Sequence, residues 1–198
     1  MTMTNAGPAL LRLNVGSGRR RIPGFLSVDD NPTAGHVDVV HDLNVFPWPF
    51  ADSSVSDVIM DHALEHLDDT IRVIQELYRI CANQARLHIM VPHLSCAWSH
   101  PGHRRAIGVG LFDHFDQRWD EHYGQCRFDV ESIRLHWIRP RYQRSWWRSA
   151  IVAPIDGLAN LNPRLCQRLW CYWVGGFEEI EFHVRVTKGA EGALEGKA

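Results

Sequence analysis

Leu10-Leu11-Arg12-Leu13-Asn14-Val15-Gly16-Ser17-Gly18, continued through RRRIPGFLSVDD to Asp30, is the stretch on which the fold turns. Residues 10 to 15 are an apolar-rich run that stops in Gly-Ser-Gly, the pattern of a buried strand entering a tight turn. Phe25 to Val28 (FLSV) is a second run, closed by Asp29 and Asp30, and Val37 to Val40 (VDVV) is a third, closed by His41 and Asp42. A Gly-x-Gly turn lets the backbone approach a ligand closely, because no side chain stands between them. Gly16 and Gly18 are therefore candidate cofactor contacts. Asp29, at the next strand end, is placed to accept both hydroxyls of a ribose laid over that turn. Asp42, one strand further on, could accept from an adenine amino group. Aspartates at strand ends also cap turns, so both readings stay open at this point.

Working outward, Asn44 to Ser54 reads as an ordered loop and Asp57 to Met60 (DVIM) as a fourth strand. From Leu64, the residues Leu67, Ile71, Ile74, Leu77, Tyr78 and Cys81 recur at the helical period and predict one long helix. Ala82-Asn83-Gln84 ends it, and Arg86 to Val91 (RLHIMV) is a fifth strand stopped by Pro92. Two later runs, 126–138 and 177–186, predict a hairpin-like edge pair separated by short helices near 145–151 and 163–173. Strands alternating with helices or loops predict an α/β fold. The sheet is expected to be Rossmann-like and doubly wound, seven-stranded and mostly parallel, with an antiparallel edge strand.

At 198 residues and 45% hydrophobic content, the chain suits one domain, expected over 1–188, with a small polar tail at 189–198 predicted to fray. The net charge of −2 provides no overall basic excess, so neither nucleic acid nor a membrane surface is an expected partner. No basic leader and no long apolar run occurs, and the 5 cysteines are irregularly spaced without C-x-x-C pairs. A cytoplasmic protein with reduced thiols is expected.

The linked motifs LNVGSGRRRIPGFLSVDD, VDVVHDLNVFPWPFADSSVSDVIMDHALEHL and the strand ending Val91-Pro92-His93 resemble the type-11 branch of class I S-adenosylmethionine-dependent methyltransferases over about residues 11 to 95. The resemblance implies S-adenosylmethionine as cofactor. Val15, Gly16, Ser17 and Gly18 would border its methionine part, Asp29 its ribose, and Asp42 with Leu43 its adenine. Asp61 and His62 would edge the sulfonium pocket. Two departures stand out: Ser17 replaces the family's usual cysteine, and Ala82-Asn83-Gln84 replaces its Pro-Gly-Gly turn. Met60-Asp61-His62-Ala63 also lacks the Asn-Pro-Pro-Tyr type of motif, which argues against methylation of exocyclic base nitrogens. Methyl transfer to an oxygen, or less readily a nitrogen, of a small molecule such as a natural product or glycan precursor is the implied activity. A non-catalytic cofactor-binding or scaffolding subunit is the alternative.

Residues 93–125 differ in kind, with His93, His100, His103, His114 and His122 among glycines and mixed polar and aromatic residues. A long irregular segment after the fifth strand is expected to roof the acceptor site as a lid. Imidazole has the pKa for proton removal near neutrality, so His93 or His103 is the candidate general base, although a histidine here is more often a surface or structural residue and such a cluster could instead hold a divalent metal. Arg104 and Arg105 could pair with an anionic acceptor. No metal ligand set is assigned. His62-Ala63-Leu64-Glu65-His66 fits a zinc-protease H-x-x-E-H, but its place after a parallel strand favours the methyltransferase reading. The late aromatics Trp146, Trp147, Trp170, Tyr172 and Trp173 could line a pocket for a sugar or planar ring, but are read first as core or as the face of a homodimer.

Overall fold

The computed structural model describes residues 9–34, 36–115, 123–142, 145–173 and 176–188. Seven strands form one sheet in the order β3-β2-β1-β4-β5-β7-β6. They are β1 (Leu11–Val15), β2 (Leu26–Asp29), β3 (Val39–Val40), β4 (Val55–Asp61), β5 (Cys81–Pro92), β6 (Phe128–His136) and β7 (Glu179–Val186). Strands β1 to β5 pair in parallel, and β7 runs antiparallel to both β5 and β6. The α/β Rossmann-like expectation holds, and the antiparallel strand is the inner member of the edge pair. The expected tail at 189–198 lies outside the described residues.

The helices are α1 (Thr70–Ile80), α2 (Leu94–Ala97), α3 (Trp146–Ala159) and α4 (Pro163–Trp173). The predicted single helix from Leu64 is two elements. A 3-10 turn over Leu64–His66 ends at extended Leu67, and α1 starts afresh where the Asp69 side chain accepts the Arg72 amide at 3.0 Å. The cap decides this start, because a satisfied N-terminal amide favours a new helix over continuation. Val73, Ile74, Leu77 and Ile80 of α1 are buried against the sheet.

Alternation along the strands separates the two sheet faces. Val58, Met60, Leu87, Ile89, Phe182 and Val184 are almost wholly buried in the core, together with Trp48 and Phe50 from the loop before β4. Their alternates Asp57, Ile59, His88, Glu181 and His183 are only half-buried. Parallel sheets are usually covered on both faces. Here the β1–β2 crossover, residues 16–25, contains no helix. It packs by single contacts instead, with Arg12 over the Phe25 ring at 4.1 Å and Asn14 donating to the Arg20 carbonyl at 2.7 Å.

Part of the histidine-rich segment is fixed to the core. Ile107, Val109, Phe112 and Phe115 are buried, and the Phe112 ring meets Phe128 and Phe182 at 5.3 and 5.4 Å. Residues 116–122 of the expected lid lie outside the described residues.

Candidate functional site

The carboxyl ends of β3, β2, β1 and β4 lie side by side, and each presents residues singled out in the sequence. Gly16 has φ +66°, and the amides of Gly16 and Ser17 both donate to the Val28 carbonyl, at 2.9 and 3.1 Å. A Cβ at position 16 would lie 2.3 Å from the Ala63 Cβ, so packing and backbone geometry both require glycine there. Gly18, at φ +51°, differs: a Cβ there would meet nothing within 4 Å, so space above the turn is open. The Ser17 hydroxyl is buried beside it with no hydrogen-bond partner among the described residues. Val15 and Leu43 form the apolar floor, both nearly fully buried.

Asp29 binds the two loops together. Its carboxylate accepts the Gly18 amide at 2.7 Å and the Asn31 amide at 3.1 Å. A carboxylate has roughly four acceptor positions, so a ligand can still be bound. Asp42 accepts from the Asn44 amide and side chain through Oδ1 alone, at 2.9 and 3.2 Å. The capping role weighed from the sequence is thus present at both aspartates, beside free acceptor capacity. Asp61 forms an ion pair with Arg20, a residue the sequence reading did not single out. Its position in a run of three arginines carried no signal of that pairing.

His62 sits at the end of β4 in the left-handed region, φ +53°. Its Nδ1 lies 3.1 Å from Glu65 Oε1 and its Nε2 2.6 Å from Glu179 Oε2. Burial alone would lower its pKa, but the hydrogen bonds its ring donates to Glu179 and to Glu65 outweigh that and raise it to about 9. His62 is therefore an imidazolium at neutral pH, a donor and not a base. With both ring nitrogens engaged, and with residues 64–66 in a 3-10 turn, His62 and His66 do not form a zinc-protease pair.

Next to His62 is a cleft of about 290 Å³ whose walls include Glu65, His66, His100, His103 and Arg139. His103 faces it. Its Nδ1 lies 2.6 Å from the Ala97 carbonyl, which can only accept, so Nδ1 carries the proton and Nε2 is the basic atom. Nε2 is 3.9 Å from Glu65 Oε1. Glu65 is 1% exposed, and its Oε2 has no partner among the described residues.

His93 does not reach this cleft. It is fully buried, and its Nδ1 accepts the Ser95 amide at 3.2 Å, capping α2. Its Nε2 lies 3.2 Å from Gln167 Oε1. Burial pushes its pKa down to about 4. This geometry does not favour His93 as a general base: its nitrogens contact the helix cap and Gln167 of α4. Arg104 pairs with Asp68, and Arg105 donates to the Asp68 carbonyl at 3.3 Å, so neither forms part of the cleft wall.

No family model and no curated protein matches this sequence. Solved structures match its fold. A SAM-dependent methyltransferase from Archaeoglobus fulgidus aligns over 90% of this chain and 86% of its own at 15% identity, with a TM-score of 0.56. An S-adenosylmethionine-dependent methyltransferase from Mesorhizobium loti aligns over 89% and 91% at 13% identity, with a TM-score of 0.53. The cyclase SpnF aligns over 91% and 76% at 12% identity, with a TM-score of 0.57. Identity this low carries fold and not chemistry, and the cyclase shows one fold under more than one activity. This chain has the fold of the S-adenosylmethionine-dependent methyltransferases.

Proposed function

We propose that the chain transfers a methyl group from S-adenosylmethionine to an oxygen of a small molecule such as a natural product or glycan precursor. The observation that carries this reading is the open space at Gly18, whose amide the Asp29 carboxylate holds, with Asp42 and Asp61 at the ends of the neighbouring strands. The buried Ser17 hydroxyl, which has no partner among the described residues, and the acceptor capacity left on Asp29 and Asp42 fit such a cofactor. Val15, Gly16, Ser17 and Gly18 would hold its methionine part, Asp29 the ribose, Asp42 and Leu43 the adenine, and Asp61 with His62 the region of the sulfonium. The cofactor supplies an electrophilic methyl group, so the protein's main work is alignment. The Glu65 and Glu179 carboxylates hold the His62 imidazolium between them, which fixes the ring at the edge of the cleft. His103 Nε2 takes the proton of an acceptor hydroxyl as its oxygen attacks. Arg139 on the cleft wall favours an acceptor carrying negative charge.

The unpaired state of all five cysteines agrees with a reducing, cytoplasmic setting. Among the described residues, no helix is long and apolar enough to cross a membrane. Exposed apolar side chains on α3 and α4 support self-association into a homodimer.

Calorimetry with S-adenosylmethionine and S-adenosylhomocysteine, followed by an acceptor screen reading S-adenosylhomocysteine release, tests the proposal. Saturable heat and turnover with a hydroxyl acceptor are expected. Folded protein that binds neither compound overturns the cofactor assignment, and binding with no turnover across the screen favours the non-catalytic alternative.

A further inference from the structure

The half-covered face of the sheet carries a second cluster, away from the cleft. His88 on β5 and His183 on β7 stand directly opposite in the antiparallel register, with rings stacked at a centroid distance of 4.4 Å. Both direct Nε2 at the same atom: Glu181 Oε1 lies 2.7 Å from His88 and 3.0 Å from His183. The donor atoms of these three residues all fall within 4.8 Å of one another. The other carboxylate oxygen, Oε2, is held 3.0 Å from Nε2 of His136 on β6, whose Nδ1 is 3.7 Å from Asp156 of α3. A pocket of about 190 Å³, with His88 and His183 in its wall, opens beside the cluster.

We propose that His88, His183 and Glu181 form a binding site for a divalent first-row transition cation such as Zn²⁺. Two imidazoles and one carboxylate are a common borderline-soft donor set, and a pocket at their side leaves room for water ligands. The site is built in layers. His136 fixes the second oxygen of Glu181, and Asp156 fixes His136, the kind of outer support that orients metal-binding carboxylates. The residues come from rigid, paired strands, so the donors stay aligned without ordering a loop on binding. Both Nε2 atoms now point at Glu181 Oε1, so the ion takes the place of the protons between them and its binding releases protons. Bound there, the cation would clamp β5 to β7. None of this depends on methyl transfer.

The test uses the full chain without an appended histidine tag. Titration with Zn²⁺ is expected to show one tight equivalent, and Co²⁺ substitution a visible d–d spectrum. Glu181→Gln, close in shape to the original, and His183→Ala should each cut affinity by at least about 100-fold. His136→Gln should cost about 10- to 100-fold, as outer-layer substitutions do. Circular dichroism confirms that each variant is folded. His100→Ala is the control, because His66, His100 and His103 form a separate histidine group at the cleft. Absence of any tight equivalent, or binding lost in His100→Ala yet retained in His183→Ala, overturns the proposal.

Discussion

Asp29 builds the turn on which the proposed cofactor site rests. It holds the Gly18 and Asn31 amides, so it shapes the turn before any ligand arrives. Asp29→Ala is expected to weaken S-adenosylmethionine binding by about 1–3 kcal/mol through unsatisfied ribose donors, read by calorimetry. Unchanged affinity in the folded variant would remove Asp29 from the site. His103 and His93 separate cleanly. His103→Ala should lower turnover by about 10²- to 10⁴-fold with cofactor affinity retained, whereas His93→Ala, which deletes a cap and the Gln167 contact, should lower thermal stability. The histidines also set the pH dependence of folding. His62 and His136 have folded pKa values raised from about 6.5 to about 9. Burial opposes the rise at His62, where Glu179 and Glu65 outweigh it, and the Asp156 hydrogen bond leads it at His136. Their stabilisation is therefore complete below the unfolded value and lost as pH rises through about 9. His93, held near 4 by burial, acts in the opposite sense, losing its contribution as pH falls from about 6.5 toward 4. Melting temperature should peak near neutrality, and His62→Gln should flatten the alkaline limb. An alkaline limb unchanged in that variant would disprove the assignment.

At the scale of elements, β1, β2, β4 and the core of β5 were legible because short apolar runs ended in glycine, aspartate or proline. The edge pair was legible from alternation, clearer along β7 than along β6, whose register shifts between Val130 and Ser132. Two features were not. The break between Leu64–His66 and α1 lies in Leu67-Asp68-Asp69, where apolar periodicity runs straight through and only the Asp69 cap reveals the new start. The turn before β5 was expected to end the preceding element, yet β5 begins at Cys81 and its register with β4 shifts between Val55 and Asp57. Gln84 absorbs that shift at φ +67°, close to where the family's glycine would stand. A side chain in the left-handed region costs roughly 1 kcal/mol, so Gln84→Gly is expected to raise stability by about that amount in denaturant titration. A loss of stability would show that contacts of the glutamine outweigh its backbone cost. Of the candidate site, the positions proposed for the cofactor were legible as strand ends, and β1, β2, β3 and β4 do end at or just before them. The cleft was not, because Glu65 with His66, His103 and Arg139 come from three separate places in the chain, and nothing in the sequence brings them together.

Across the whole molecule, polarity is distributed unevenly, and that decides how the chain meets its surroundings. Sequence composition left the late aromatics as core or interface, and exposure separates the two. Trp146 and Trp173 are 83% and 84% exposed, which rules out core packing for them. Leu158, Leu161, Leu165 and Leu169 are also more than half exposed. They line a groove of about 480 Å³ between α3 and α4, floored by Ile155 and Phe177. Single exposed apolar residues are ordinary, but a contiguous groove with tryptophans nearby marks an interaction face. A twofold pairing would set this patch against its own copy, the commonest way for one surface to cover itself. Light scattering coupled to size exclusion is expected to give twice the monomer mass at micromolar concentration. The double substitution Leu161→Asp with Leu169→Asp places charge in the groove on side chains that already face solvent. It should return the chain to a monomer with little change in melting temperature, since burying an unpaired carboxylate opposes association but not folding. A wild-type chain that remains monomeric across the concentration range would show that a different partner covers this face.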